Sequence, residues 1–239
     1  MKKRILIFIV TYNSSFRVLN IIKKIRKLNL NNKYYKILIA DDCSTDDTVN
    51  FIRKIKKSKI IKIIINKSNL GYGGNIIKCL KYALKKKFNY AIMIHGDDQY
   101  DAKYIPKIIN EFRNKNISLV TGSRMISKKD ALKGDMPIYK FLGNIVLTKM
   151  FNLLSNTKFT DCHTGLWGYN LKVFKSVKLN KIDKGYNFDN HLRIIASNRK
   201  FKINEIPIKT YYRSEASKFH IFYSLNFFKY LIINLFNKQ

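Results

Sequence analysis

Acidic residues are scarce in this chain. Asp and Glu number 15 against 47 Lys and Arg, leaving a formal charge of +32 over 239 residues. A field this positive disfavours cationic partners and favours polyanions such as a phospholipid surface, phosphorylated substrates or nucleic acid, without choosing among them. A coding bias toward Lys, Asn and Ile explains part of the excess but not the shortage of carboxylates. Proline is also rare, at three residues, and no Gly/Ser-rich stretch marks a linker. With 46% hydrophobic residues the chain can bury one full core, so one main domain is expected. The three cysteines, Cys43, Cys79 and Cys162, are odd in number and lack metal-ligand spacing. Neither a disulfide framework nor a zinc site is implied, and a reducing compartment fits. No stretch reaches the roughly 20 uninterrupted apolar residues of a spanning helix. The start, Met1-Lys2-Lys3-Arg4 before Ile5–Val10, imitates a signal peptide, but the run is short and lacks a small-residue cleavage site. It reads as a first buried strand.

What is present is an alternation. Ile5–Val10 is aliphatic and ends in Thr11-Tyr12-Asn13-Ser14, after which Phe16, Leu19, Ile22, Ile25 and Leu28 recur at helical spacing. Lys36–Ala40, the polar Asp41–Asp47 and the helical set Val49, Ile52 and Ile55 repeat the pattern. Ile60–Ile65, Asn69–Asn75 and a helix through Ile76, Ile77, Leu80 and Leu84 repeat it again. Tyr90–Ile94 is a fourth strand, leading through His95–Tyr100 into a helix over Asp101–Lys115. Continuous apolar strands separated by helices predict an α/β domain with a mostly parallel central sheet flanked by helices.

Beyond Ser118–Thr121 the alternation weakens. Met136–Asn156 reads as a long, partly exposed element with a basic face that includes Lys140, and Asp161–Tyr169 as a polar loop entering an aromatic stretch. Lys184–His191 opens a helix, and Phe201–Ile206 is a last strand. The tail places Phe222, Leu225, Phe228, Ile232 and Leu235 near one helical face, for docking or membrane contact. This predicts a catalytic domain over 1–215 and an amphipathic, aromatic-rich segment over 216–239.

In parallel sheets ligands collect beyond the carboxyl ends of the strands, where the loops Thr11–Ser14, Asp41–Asp47 and His95–Tyr100 fall. A strand ending in Asp97-Asp98-Gln99 is costly unless a cation sits beside it, and oxygen ligands of this kind suit Mg²⁺ or Mn²⁺ held together with substrate phosphates. The plainer reading is a solvated turn with Asp101 capping the next helix. Asp41 and Asp42 can meet ribose hydroxyls or a base. Asn69-Leu70-Gly71-Tyr72-Gly73-Gly74 allows a ligand close to the backbone, although it satisfies neither a P-loop nor a dinucleotide fingerprint.

In order, Val10-Thr11-Tyr12-Asn13, Asp41-Asp42-Cys43-Ser44-Thr45-Asp46, Asn69-Leu70-Gly71, Asp97-Asp98-Gln99-Tyr100 and Gly122-Ser123-Arg124 resemble family 2 glycosyltransferases of GT-A fold. The nearest branch is similar to the dolichyl- or polyprenyl-phosphate sugar transferases, typified by dolichol-phosphate mannosyltransferase. His163-Thr164-Gly165, Phe188-Asp189, Glu205-Ile206-Pro207-Ile208, Tyr211-Tyr212, Arg213 and Ser217-Lys218 extend the resemblance over nearly the whole chain. It implies that Asp41, Asp42, Thr11, Tyr12, Asn13 and Gly71 border the donor nucleotide. It further implies that Asp97 and Gln99, with His95, hold Mg²⁺ or Mn²⁺, and that Arg213, Ser217 and Lys218 hold the donor diphosphate. Arg124, Lys140 and His163 are implied for the acceptor, and Asp97, Arg213 and Asp189 for catalysis, with Asp189 the carboxylate available as a base. Three departures stand out: His95 replaces the first Asp of the metal motif, Trp167 replaces a common Arg, and His191 falls near a common acidic position.

The expected activity is metal-dependent transfer of a sugar, with inversion, from a nucleotide-diphosphate sugar to a polyprenyl phosphate. The expected place is the cytoplasmic membrane face, on an anionic surface, with a separate membrane-embedded partner and no nucleic acid. Transfer to a cell-surface polysaccharide is the alternative. A non-enzymatic basic module gives no reason for carboxylates at three strand ends, and a sugar nucleotidyltransferase would need a glycine-rich loop where Thr11–Ser14 stands.

Overall fold

The computed structural model describes residues 3–31, 33–55, 58–114, 116–127, 131 and 136–210. Arg213, Ser217, Lys218 and the segment 216–239 therefore lie outside the described residues. Seven strands form one sheet in the order β3-β2-β1-β4-β6-β5-β7. Strands β1 (Ile5–Thr11), β2 (Tyr35–Asp41), β3 (Ile61–Ile65) and β4 (Tyr90–His95) are mutually parallel, as are β5 (Leu119–Ser123) and β7 (Ile203–Pro207). Strand β6 (Trp167–Asn170) runs antiparallel between β4 and β5.

The first strand shows why the layers form. Every residue of Ile5–Thr11 is buried. Alternate side chains go to opposite faces: Ile5, Ile7 and Ile9 join one core, and Leu6, Phe8 and Val10 the other. The first core is closed by helices α1 (Arg17–Lys27) and α4 (Ile105–Asn114), through residues such as Ile21, Ile25 and Ile108. The second is closed by α3 (Tyr72–Lys85) and α7 (Phe188–Asn198), through Ile76, Leu80 and Leu192. Shorter helices α2 (Thr48–Arg53) and α6 (Leu171–Phe174) and the long α5 (Ile138–Ser155) complete the frame. In α1 Ile22 and Ile25 are buried and Leu19 and Leu28 pack against the same core, as predicted; Val18 and Ile21 join them, while Phe16, just before the helix, is exposed.

Three further segments refine or correct the expectation. Asp101 does cap, accepting from Lys103 N at 2.9 Å, but it starts a 3₁₀ turn, Ala102–Tyr104, before α4. The aromatic stretch that the polar loop at Asp161 enters is strand β6. Gly168 makes that possible, because a Cβ there would lie 2.4 Å from Ile108 Cγ2 of α4. Finally, the predicted basic face of Met136–Asn156 is an exposed apolar one: Ile138, Leu142, Val146 and Leu153 all face outward.

Candidate active site

Register sets the site. Thr11 pairs with Asp41 and Val10 with His95, so β1, β2 and β4 end at one level. Beyond that edge lies a cleft of about 630 Å³. Thr11, Tyr12, Asp42, Gly71, His95, Asp97, Gln99, His163 and Asp189 line it, and Asp41, Asn13, Arg124 and Lys140 do not.

On the donor side, carboxylates expected to meet the ligand directly are partly engaged in building loops. Asp41 is fully buried, and its carboxylate accepts from Ser44 N at 3.0 Å and Ser44 Oγ at 2.5 Å. Asn13, at φ +48°, is tied to the same turn: its N donates to Ser44 Oγ and its Oδ1 accepts from Thr45 N, both at 2.9 Å. Asp42 is the carboxylate on the cleft wall. Its Oδ1 accepts from Asn66 Nδ2 at 2.8 Å and from Leu70 N at 2.9 Å, fixing the entrance to the glycine-rich loop.

That loop serves the chain more than a ligand. Gly71 takes φ +79°, open to glycine at little cost, and touches the cleft. Gly73 and Gly74 instead admit the segment before α7, donating to Gly185 O at 3.2 Å and Lys184 O at 2.8 Å. A Cβ on Gly73 would meet Asp183 O at 2.4 Å.

The loop thereby delivers Tyr72 to the catalytic end. Tyr72 Oη donates to Asp189 Oδ2 at 2.9 Å and lies 3.3 Å from His95 Nε2. Because the single phenolic proton is directed to Asp189, the longer contact is one in which His95 Nε2–H donates, leaving Nδ1 as the lone-pair nitrogen. Burial raises the Tyr72 hydroxyl well above its ordinary value, reinforced by the Asp189 charge, so it stays a donor. Burial also lowers His95, with Asp97 opposing, which keeps the ring neutral. Asp189 is pushed up to about 6 by burial, against the pull of Arg193 and the Tyr72 hydrogen bond. Its Oδ1 is buried with no hydrogen-bond partner among the described residues.

Asp97 is exposed at the cleft, with Oδ1 accepting from Gln99 N at 3.0 Å in a tight turn. Asp98, read from the sequence as solvated, is instead buried at φ +61° and accepts from Lys24 of α1 at 2.7 Å. It fastens the turn to α1 and leaves Asp97 as the carboxylate of this stretch that faces the cleft. No cluster of three or more His, Cys, Asp or Glu among the described residues is arranged to hold a metal. One protein carboxylate with an amide and a neutral imidazole nevertheless fits Mg²⁺ or Mn²⁺, which complete their shell with water and substrate phosphate oxygens.

The expected acceptor cations are placed differently. Arg124 is buried, and its Nε and Nη2 donate to Asp161 at 2.7 and 2.9 Å in a bidentate pair. The Arg124 guanidinium and Asn144 hold the Asp161 carboxyl well below its usual range, although burial pushes the other way. Lys140 stands near enough that Arg124, after burial, lowers its pKa. His163 borders the cleft but is lowered to about 4, chiefly by burial, and is uncharged at neutral pH. The pair therefore braces the cleft wall: Arg124 Nη2 donates to His163 O at 2.8 Å, and Asp161 Oδ1 accepts from His163 N at 3.0 Å.

Trp167 and His191 have structural settings. Trp167 is fully buried, stacked under the Arg193 guanidinium at 4.6 Å, and His191 Nδ1 accepts from Asp183 N at 3.2 Å. Tyr72, Asn75, Tyr100, Tyr186 and Asn190 also line the cleft without having been anticipated. Position alone marks Tyr72, between two glycines at a helix start. Tyr100, whose Oη accepts from Gly165 N at 2.8 Å, joins two motifs that are 65 residues apart. Cys162 reaches the cleft as a thiol pushed up to about 12 by burial, so it is no nucleophile. All three cysteines are free.

A carboxylate-lined cleft at the carboxyl edge of a mostly parallel sheet is where an enzyme of this architecture binds its ligand. The family model described as glycosyl transferase family 2 matches residues 6–178, and the chain belongs to that family. The UDP-N-acetylglucosamine–dolichyl-phosphate N-acetylglucosaminyltransferase of Methanococcus voltae is 29% identical over 224 residues, covering 88% of this chain and 86% of that protein. The low-salt glycan biosynthesis hexosyltransferase Agl6 of Haloferax volcanii is 26% identical over 185 residues, 77% of this chain and 41% of that protein. Among solved structures, glucosyl-3-phosphoglycerate synthase from Mycobacterium tuberculosis, in complex with Mn²⁺, UDP and phosphoglyceric acid, aligns with a TM-score of 0.69 at 13% identity. That alignment covers 98% of this chain and 77% of the synthase. Mannosyltransferase PcManGT from Pyrobaculum calidifontis, with GDP-Man and Mn²⁺, gives 0.62 at 12% identity, covering 90% and 59%. The fold is GT-A, and the chain is a glycosyltransferase.

Proposed function

We propose that this glycosyltransferase moves a sugar from a nucleotide-diphosphate sugar to a polyprenyl phosphate at the cytoplasmic membrane face, with a divalent cation. The observation that carries the reading is the cleft itself, where Asp97 and the half-buried Asp189 line one cavity at the carboxyl edge of the sheet. Similarity to the Methanococcus voltae enzyme, spread over most of both chains, supports a lipid-phosphate acceptor. The Mn²⁺ complexes of two structural neighbours support a cation.

In the reaction the anomeric carbon–oxygen bond to the diphosphate breaks, an acceptor phosphate oxygen bonds to that carbon, and nucleoside diphosphate leaves. Asp97 and Gln99, with His95, would hold Mg²⁺ or Mn²⁺. When bound, the cation stabilises the charge that develops on the leaving diphosphate. Asp42 and the Thr11-Tyr12 backbone border the nucleotide. Asp189, held by Tyr72, takes the remaining proton of an acceptor that arrives as a monoanion. Arg213, Ser217 and Lys218 are assigned to the diphosphate by the family resemblance.

Nucleotide sugars offered with Mg²⁺ or Mn²⁺, with and without polyprenyl phosphate, test the reading through released nucleoside diphosphate and lipid-extractable label. Asp97→Ala should lower transfer by at least about 10²-fold with an unchanged thermal midpoint, because its side chain is exposed. Full turnover in that variant would remove Asp97 from the cation site. Label that remains in the aqueous phase would point to a glycan acceptor instead.

A further inference from the structure

Helix α5 is apolar on both sides, yet the protein covers one of them. Asn144, Leu147, Thr148 and Phe151 are buried against the domain. At about 100° per residue, Ile138, Leu142, Leu153, Val146, Tyr139 and Met150 fall on the opposite arc, and all are exposed, Leu153 at 83% and Ile138 at 70%. Seven of the thirteen exposed large hydrophobic residues among the described residues belong to this one helix. A helix apolar all round is normally buried or within a membrane. No helix among the described residues is long and apolar enough to cross one.

We propose that the outer face of α5 is the surface by which this chain lies on an anionic lipid bilayer. The inference rests on the lipid-phosphate acceptor reading and names the surface that serves it. Charge selects the occupant: the outer arc of α5 carries Lys149 and no acidic residue, Lys140 lying on the covered side, in a chain of formal charge +32. Lys149 lies within the apolar arc, where its stem can cover apolar surface while its ammonium meets phosphate headgroups. Position agrees as well. The inner face of α5 is bonded to the cleft wall: Asn144 Nδ2 donates to Asp161 at 2.9 Å, and Thr148 Oγ1 accepts from Cys162 N at 3.2 Å. Cys162 and His163 then line the cleft. A bilayer touching the outer face of α5 is one helix thickness from the cavity, so an acceptor phosphate can enter while its chain stays in lipid.

The test is flotation of the full chain with vesicles of phosphatidylcholine, with or without phosphatidylglycerol, in the absence of donor and acceptor. Binding is expected with phosphatidylglycerol and should fall at least about tenfold in the Leu142→Gln/Val146→Gln/Leu153→Gln variant. Leu153→Gln alone should give a smaller fall and guards against misfolding of the triple variant. Vesicle binding unchanged in both variants would overturn the proposal and assign the surface elsewhere, for example to residues 216–239. A dimer in solution that the triple variant dissociates, with vesicle binding intact, would overturn it in favour of a second copy. Transfer to a short, water-soluble prenyl phosphate is measured separately. Its absence would count against the acceptor reading and leave the vesicle result standing.

Discussion

At the scale of single residues, the proton path at Asp189 separates the two kinds of acceptor. Its carboxyl is raised to about 6, so it is ionised and able to accept a proton above that pH. A phosphate monoester loses its second proton near pH 6 on its own, about the same value. For a phosphate acceptor, about half of which is already the dianion at pH 6, Asp189→Asn should lower kcat/KM there by no more than about twofold, and the deficit should vanish toward pH 8.5 as the dianion predominates. A sugar hydroxyl stays protonated throughout, so a deficit of about 10²-fold that persists across that range would indicate a glycan acceptor. The raised pKa also fixes the sign for stability. Native Asp189 holds its proton more tightly than the unfolded chain does, so its contribution declines as pH rises from about 4 to about 6. Asp189 and Asp97 could be picked out from the sequence because carboxylates are rare and both fall at expected places. Arg124 could not be assigned in the same way. Its partner Asp161 is 37 residues away, and nothing local shows that the guanidinium is already paired.

Elements carry the next set of consequences. Helix α3 starts where it does because Gly73 and Gly74 lack side chains and can accept the 183–185 segment. Gly73→Ala places a methyl 2.4 Å from Asp183 O and 2.8 Å from Phe188 Cβ. A loss of about 1–3 kcal/mol of stability is expected, visible as a lower denaturant midpoint, together with weaker transfer as Tyr72 and Asp189 part. An unchanged midpoint would mean that the 183–185 segment yields without cost. Strands β1 to β4 were legible because each is a run of buried aliphatic residues with a polar loop after it. β6 was not, because four residues including Trp167 and Gly168 form no run, and its two neighbours in the sheet are remote in sequence. For α5, a long, partly exposed element was readable, but which face met solvent was not. With apolar residues on both sides, the periodicity does not distinguish them.

For the whole molecule, the excess of Lys and Arg predicts a dependence on salt. A donor diphosphate is drawn toward so positive a chain over distances that salt screens, the Debye length shrinking from about 10 Å at 0.1 M to about 3 Å at 1 M. Raising salt across that range should lower kcat/KM for the donor several-fold while kcat stays within about twofold, since groups inside the cleft are screened less. Steady-state kinetics on a soluble acceptor check this, and an equal fall in kcat would place the effect in the chemical step. The sheet order has a consequence of another kind, for synthesis on the ribosome. Strands β1 to β4 are complete once residue 95 has emerged, but the neighbour that closes β4 on its far side, Trp167–Asn170, comes more than seventy residues later, after β5. Through that interval β4 presents an unpaired edge. Any pairing of β5 directly with β4 must be undone before β6 can enter between them, so the order of translation and the order of the strands are at odds at this one seam.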